Sequence, residues 1–177
     1  PDTNFVNWLN NNGYSACMNG NQMDTTCNLI INATTLNCSG SDIQSLEGIT
    51  YFDNLDTLNC AFADLGYLPT LPLSTTVLYV PINNLSSLPD LPAGLRNLGC
   101  SDNQLTTLPS LPDSLNYLWV SGNFLTTLPS LPDSLLGLDV SRNLFDSLPP
   151  LPSKLTTFSC RQNSLDSLPL LPDSLIN

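Results

Sequence analysis

Leu95-Arg96-Asn97-Leu98-Gly99-Cys100-Ser101-Asp102-Asn103-Gln104-Leu105 is matched, 20 residues on, by Leu115-Asn116-Tyr117-Leu118-Trp119-Val120-Ser121-Gly122-Asn123-Phe124-Leu125. The shift continues through the chain, and Asn83, Asn103, Asn123, Asn143 and Asn163 keep the spacing without slippage. Two earlier units carry Ser41 and Ala63 at the same position, separated by 22 residues. An eighth unit begins at Leu175 and stops at Asn177. A fixed period of this length is the signature of a solenoid. It divides the chain into an N-terminal cap over residues 1–32 and a repeat array over residues 33–177.

Each unit can be read position by position. Leu95, Leu98 and Cys100 are apolar among polar or variable neighbours, and Leu98-Gly99-Cys100 has the period of two of a strand with one buried face. Equivalent strands then lie side by side and parallel, about 4.8 Å apart, with starts expected near Leu55, Thr75, Leu95, Leu115, Leu135 and Leu155. The recurrent asparagine turns inward after the strand, where its amide can serve buried backbone groups of its own and the adjacent turn. The return leg, such as Leu105-Thr106-Thr107-Leu108-Pro109-Ser110-Leu111-Pro112, cannot be helix. Two prolines three apart lack N–H donors and fix φ near −65°, which suits polyproline II. Helices are therefore expected in the cap alone.

Composition narrows the function. Fifteen acidic against four basic residues give a net charge of −11. That leaves no basic stripe for nucleic acid and opposes adsorption to anionic membranes. The chain has no histidine, one lysine (Lys154) and one glutamate (Glu47). Ser-His-Asp chemistry and histidine-ligated zinc are thereby removed, so no enzyme, metal or cofactor is expected. No apolar run approaches the length of a membrane span. A start at Pro1 without methionine reads as a mature or excised form.

The pattern LPxLPxxLxxLxVxxN, over roughly residues 55–177, resembles the 20-residue bacterial leucine-rich-repeat subclass found in type III secreted effectors. The first units, with Ile43-Gln44-Ser45-Leu46-Glu47-Gly48-Ile49, look more like internalin-type repeats. With Pro1-Asp2-Thr3-Asn4-Phe5 they are similar to the N-terminal regions of secreted or surface proteins of the Bacteroidetes group. The fold class so read is an α/β solenoid, mainly β. It is a right-handed leucine-rich-repeat array with a parallel sheet on the concave side, polyproline II on the convex side and a small helical N-terminal cap.

In that cap, Asp2 or Thr3 can start a short helix whose Phe5, Trp8 and Leu9 share a face, and Asn10-Asn11-Asn12-Gly13 stops it. Such a lid covers leucines that the first coil would otherwise expose. The stretch Asn19–Asp24 lacks the spaced acids and closing glutamate of a calcium loop and reads as a hydrogen-bonded turn. Of six cysteines, Cys38, Cys60, Cys100 and Cys160 share the inward strand position of Val80, Val120 and Val140 and behave as small apolar residues. Cys17 and Cys27, flanking a loop in the cap, are the expected disulfide, implying an oxidising compartment.

Recognition is then left to the outward side chains of the concave strands. Tyr79, Gly99 and Trp119 occupy consecutive central positions. The glycine predicts a slot between two aromatics, about two strand spacings or ~9.6 Å wide; the bland alternative is two rings that cover one another. Phe62, Tyr117, Asp102, Arg142 and Arg161 extend this candidate ligand surface. Most remaining acids, including Asp113 and Asp133, fall in convex turns. The reading is a non-catalytic recognition module of a secreted or surface-exposed bacterial protein, binding a protein or carbohydrate on its concave face. The alternative is a structural spacer within a longer surface protein.

Overall fold

The computed structural model describes residues 2–176; Pro1 and Asn177, the outer limits of the expected cap and array, lie outside the described residues. The chain opens with helix α1, Thr3–Asn11, N-capped by the Asp2 carboxylate, which accepts the Asn4 N–H at 3.2 Å. Its second carboxylate oxygen accepts the Gln44 and Ser45 N–H groups at 3.0 and 3.3 Å, tying the cap to the first unit's return leg. Phe5, Val6 and Leu9 are buried, and Asn12 closes the helix by donating to the Trp8 carbonyl at 2.7 Å.

A two-stranded hairpin, β1 (Met18–Asn19) and β2 (Gln22–Met23), turns through Gly20 at φ 60°. It is followed by one helical turn, α2, Asn28–Ile31. Asp24 accepts both the Thr26 N–H (2.9 Å) and its hydroxyl (2.7 Å), which holds its carboxyl below the usual range. The Cys17 and Cys27 sulfurs stand at bonding distance, with 5.5 Å between Cα atoms, and brace this cap loop.

The array follows as seven parallel strands in sequence order: β3 (Thr35–Asn37), β4 (Thr57–Asn59), β5 (Val77–Tyr79), β6 (Asn97–Gly99), β7 (Tyr117–Trp119), β8 (Gly137–Asp139) and β9 (Thr157–Ser159). The register is strict, with Leu58, Leu78, Leu98, Leu118 and Leu138 aligned from strand to strand. The strands begin two residues later than expected. The N–H groups of Thr75, Leu95, Leu115, Leu135 and Leu155 are taken by the carbonyls of Pro72, Pro92, Pro112, Pro132 and Pro152 in the turn that closes each return leg. Those residues therefore anchor the core but cannot donate to the ladder.

Among the described residues the return legs from residue 68 onward hold neither helix nor strand, as two prolines per leg require. The first unit differs: a single 3-10 turn, Ile49–Tyr51, lies outside the cap. That leg has no proline, and Gly48 at φ 98° starts the turn, so nothing prevented i→i+3 bonding there.

One core runs the whole length, from Phe5 and Leu9 of the lid through the strand leucines to Phe145 and Leu155. Cys38, Cys60 and Cys100 lie in it as apolar spacers, free and buried, and Cys160 is free and half-buried. Burial pushes the Cys100 thiol up to about 12. A hydrogen bond with Cys38, helped by burial, raises Cys60 as well.

Beside the leucines runs a polar spine. Asn123 accepts the Leu105 N–H at 3.0 Å and donates to the carbonyls of Cys100, Val120 and Ser121 at 3.1, 3.1 and 3.4 Å. Asn83, Asn103, Asn143 and Asn163 repeat the arrangement, each spanning its own turn and the one before. Each amide thus satisfies buried irregular backbone that no regular ladder reaches. Thr75, standing where other units have leucine, is the opposite case: its buried hydroxyl has no partner.

Asn123→Ala should cost about 3 kcal/mol or more in denaturant melts, because one N–H and three carbonyls lose their shared partner. Thr75→Val keeps the volume and removes the orphan hydroxyl. It should raise stability by about 1 kcal/mol, and a loss in the same melts would show the hydroxyl to be satisfied.

Candidate functional site

Strand alternation sends Leu118 and Val120 into the core and leaves Tyr117 and Trp119 on the open sheet face. The same rule brings Tyr79 out of β5. These three aromatics form one cluster. Tyr117 stacks on Trp119 with centroids 5.3 Å apart and planes 10° from parallel. Tyr79 meets Trp119 at 5.9 Å with a 33° tilt.

The expected slot between Tyr79 and Trp119 is therefore closed. Gly99 lies buried beneath the rings and offers no surface of its own. A Cβ there would fall 2.7 Å from Tyr79 Cδ1 and 3.8 Å from Trp119 Cε3, so the bare glycine is what lets the rings lean together. The physical reason is burial: rings separated by a trench would both stay wetted, whereas rings in contact remove apolar area from water. Asn97 adds a long hydrogen bond from Nδ2 to the Tyr79 hydroxyl at 3.4 Å.

Gly137 repeats the device one strand further. A Cβ there would lie 2.7 Å from Tyr117 Cδ1 and 2.9 Å from Thr157 Oγ1. The ridge continues into a shallow hollow of about 290 Å³, walled by Trp119, Asp139, Thr157, Ser159 and Arg161 over Leu138 and Phe158. Arg161 is exposed at its edge, and Asp139 is held by the Ser141 N–H at 2.9 Å. Two residues along the strands from Gly99 and Trp119, Ser121 donates to Ser101 at 3.1 Å, and further on Ser141 and Ser159 share a bond of 2.7 Å.

The remaining expected residues sit on the rim, where each strand turns toward its asparagine. Asp102 and Arg142, two units apart, form an ion pair of 2.6 Å above Gly122, whose missing side chain clears the path. Both groups are roughly half exposed, so the pair adds little stability; its effect is to remove both charges from the rim. Phe62 is not brought to the ridge. It stands on the rim beside Ile82, 61% exposed.

Ile82, Asp139, Gly122 and Gly137 are outward positions of the concave strands by sequence but lie outside the expected ligand surface. The signal for the glycines was present, since each falls in the same 20-residue column as a neighbour's large side chain. Left-handed rim residues were not legible: Phe62, Ile82, Asp102, Arg142 and Gln162 all have φ between 53° and 55°.

No protein-family model matches the chain, and no curated protein sequence does. Solved structures do. The chain is similar to YopM, a leucine-rich effector protein from Yersinia pestis, with 38% identity and a TM-score of 0.76 over 80% of this chain and 41% of that one. The leucine-rich-repeat domain of a Shigella effector matches at 34% identity and TM-score 0.60, over 81% of this chain and 56% of that one. A Leptospira interrogans leucine-rich-repeat protein matches at 27% identity and TM-score 0.60, covering 68% and 35%. The chain thus spans between about a third and three-fifths of the length of these neighbours.

Gly99→Ala should push the Tyr79 ring off Trp119 at a cost of about 1–3 kcal/mol. The near-UV circular dichroism of the aromatics should weaken, and an unchanged spectrum would mean that the rings do not depend on the glycine.

Proposed function

We propose that this leucine-rich-repeat solenoid, of the bacterial effector-like kind, is a non-catalytic recognition module that holds a partner protein against its aromatic ridge. The neighbours point to a protein-interaction module, and the observation that carries the finer reading is the cluster of Tyr79, Tyr117 and Trp119. Tyr and Trp are the side chains most enriched among residues that dominate binding energy. Here they are already locked by one another, so docking a partner freezes few rotamers. Arg161 and Asp139 beside Trp119 supply one charge of each sign for orienting polar groups of the partner.

The chain has no histidine, the commonest general acid–base side chain, which supports binding rather than catalysis. An extracytoplasmic setting is supported by the Cys17–Cys27 pair and by likeness to effectors.

Trp119→Ala should weaken capture of the partner by about 2 kcal/mol or more while the thermal melt stays within a few degrees of the parent. Pull-down with immobilised parent and variant, with each retained protein identified by mass, measures it. Equal recovery on both would shift the reading to a spacer whose ridge is only a cover for Gly99. Lost stability with binding intact would make Trp119 a structural residue.

A further inference from the structure

The turn after every strand passes through the left-handed region. Gly40, Phe62, Ile82, Asp102, Gly122, Arg142 and Gln162 take φ values from 53° to 70°. The turns are linked in order, since the N–H of each of the first six bonds to a carbonyl in the next turn, as Phe62 to Pro81 and Ile82 to Ser101. Glycine adopts this conformation freely, and short polar residues tolerate it. A bulky side chain is disfavoured there, and a β-branched one most of all.

Two of the seven positions are glycine, Asp102 and Arg142 meet in an ion pair, and Gln162 keeps a polar side chain in water. Phe62 and Ile82 have no such return inside the chain: they are 61% and 44% exposed, on neighbouring turns of the rim. Large apolar residues thus occupy places where both the backbone and the solvent disfavour them. An outlier of this kind points toward function.

The surroundings say what would cover them. The first 95 residues carry eight carboxylates and no lysine or arginine; all four basic residues lie between Arg96 and Arg161. Asp64, two residues past Phe62, is exposed and accepts from Asn84 Nδ2 at 2.5 Å. Asp102, the acid on the next turn, is already neutralised by Arg142.

We infer that Phe62 and Ile82 are the anchor of a docking surface for a partner protein segment in which bulky apolar side chains are flanked by lysine or arginine. The inference rests on the concave side being the recognition surface, and it names the chemistry of what that side recognises. The apolar side chains cover Phe62 and Ile82, and the partner's cations meet Asp64 beside them, in the half of the chain before Arg96 whose charged side chains are all acidic.

The test is a random peptide library displayed on phage and selected in parallel on the full chain, on Phe62→Asn/Ile82→Asn and on Trp119→Ala. Asparagine tolerates the left-handed backbone, and the net charge is unchanged. The parent should enrich peptides combining apolar residues with Lys or Arg. The double variant should bind them at least about tenfold more weakly, with a melting temperature equal to or above the parent's. Peptides that bind the double variant equally well overturn the inference, as does a melting temperature lowered by more than about 4 °C, since either makes the pair ordinary packing. Loss on Trp119→Ala with full binding to the double variant would leave the ridge reading standing and remove the rim. Loss on the double variant alone would do the reverse.

Discussion

Everything in this chain depends on how a 20-residue coil with a strand of three residues disposes of its buried backbone. So short a strand leaves most peptide groups of each turn outside any regular ladder, and an unpaired buried one costs as much as a lost hydrogen bond. The asparagine spine resolves this by reaching from one turn into the previous one, as Asn103 does from its own Cys100 to Val80 of the unit before. The bond is at once local and between units. It therefore holds the turn and ties each coil to the one before it. Where the spine lapses, at Ser41 and Ala63, the work passes to others: Asn83 serves the Ala63 N–H from one turn further on, and Asp2 of the lid binds Gln44 and Ser45.

The same economy explains which features could be read in advance. Core leucines, proline legs, the inward asparagines and the cysteines that replace valine all repeat in one column, and the period alone assigns them. Hydrophobic alternation begins at Leu95 and Leu115, two residues before strands β6 and β7 begin. The turn carbonyls of Pro92 and Pro112 take those N–H groups first. Hydrophobic pattern reports which side chains are buried; the ladder is decided by competition for the backbone, which the pattern does not record.

Glycine was the least transparent letter. On a sheet face a missing side chain reads as a gap, yet at Gly99, Gly122 and Gly137 the neighbours lean over the bare position. In a parallel stack each face position is flanked by equivalents about 4.8 Å away on both sides. A glycine therefore brings together residues 40 apart in sequence, as Tyr79 with Trp119 and Asp102 with Arg142. The contact belongs to a triplet of units, and a reading one unit at a time misses it.

Because core and spine are internal to each pair of neighbouring coils, the outward columns carry little of the fold's stability. They are free to vary along the array, and they do: aromatic in the middle of the face, paired charges on the rim above it, apolar and left-handed on the rim of β4 and β5. A spacer would need none of this. A plain solenoid would be served by glycine or asparagine at every left-handed turn and by small polar residues at every outward strand position. Phe62 and Ile82 depart from that minimum where the chain gains no packing from them, and the ridge departs from it by gathering three large rings above two glycines, Gly99 and Gly137. Large side chains gathered on the strand face and its rim, where the fold does not need them, are what a recognition surface built on a self-sufficient scaffold requires.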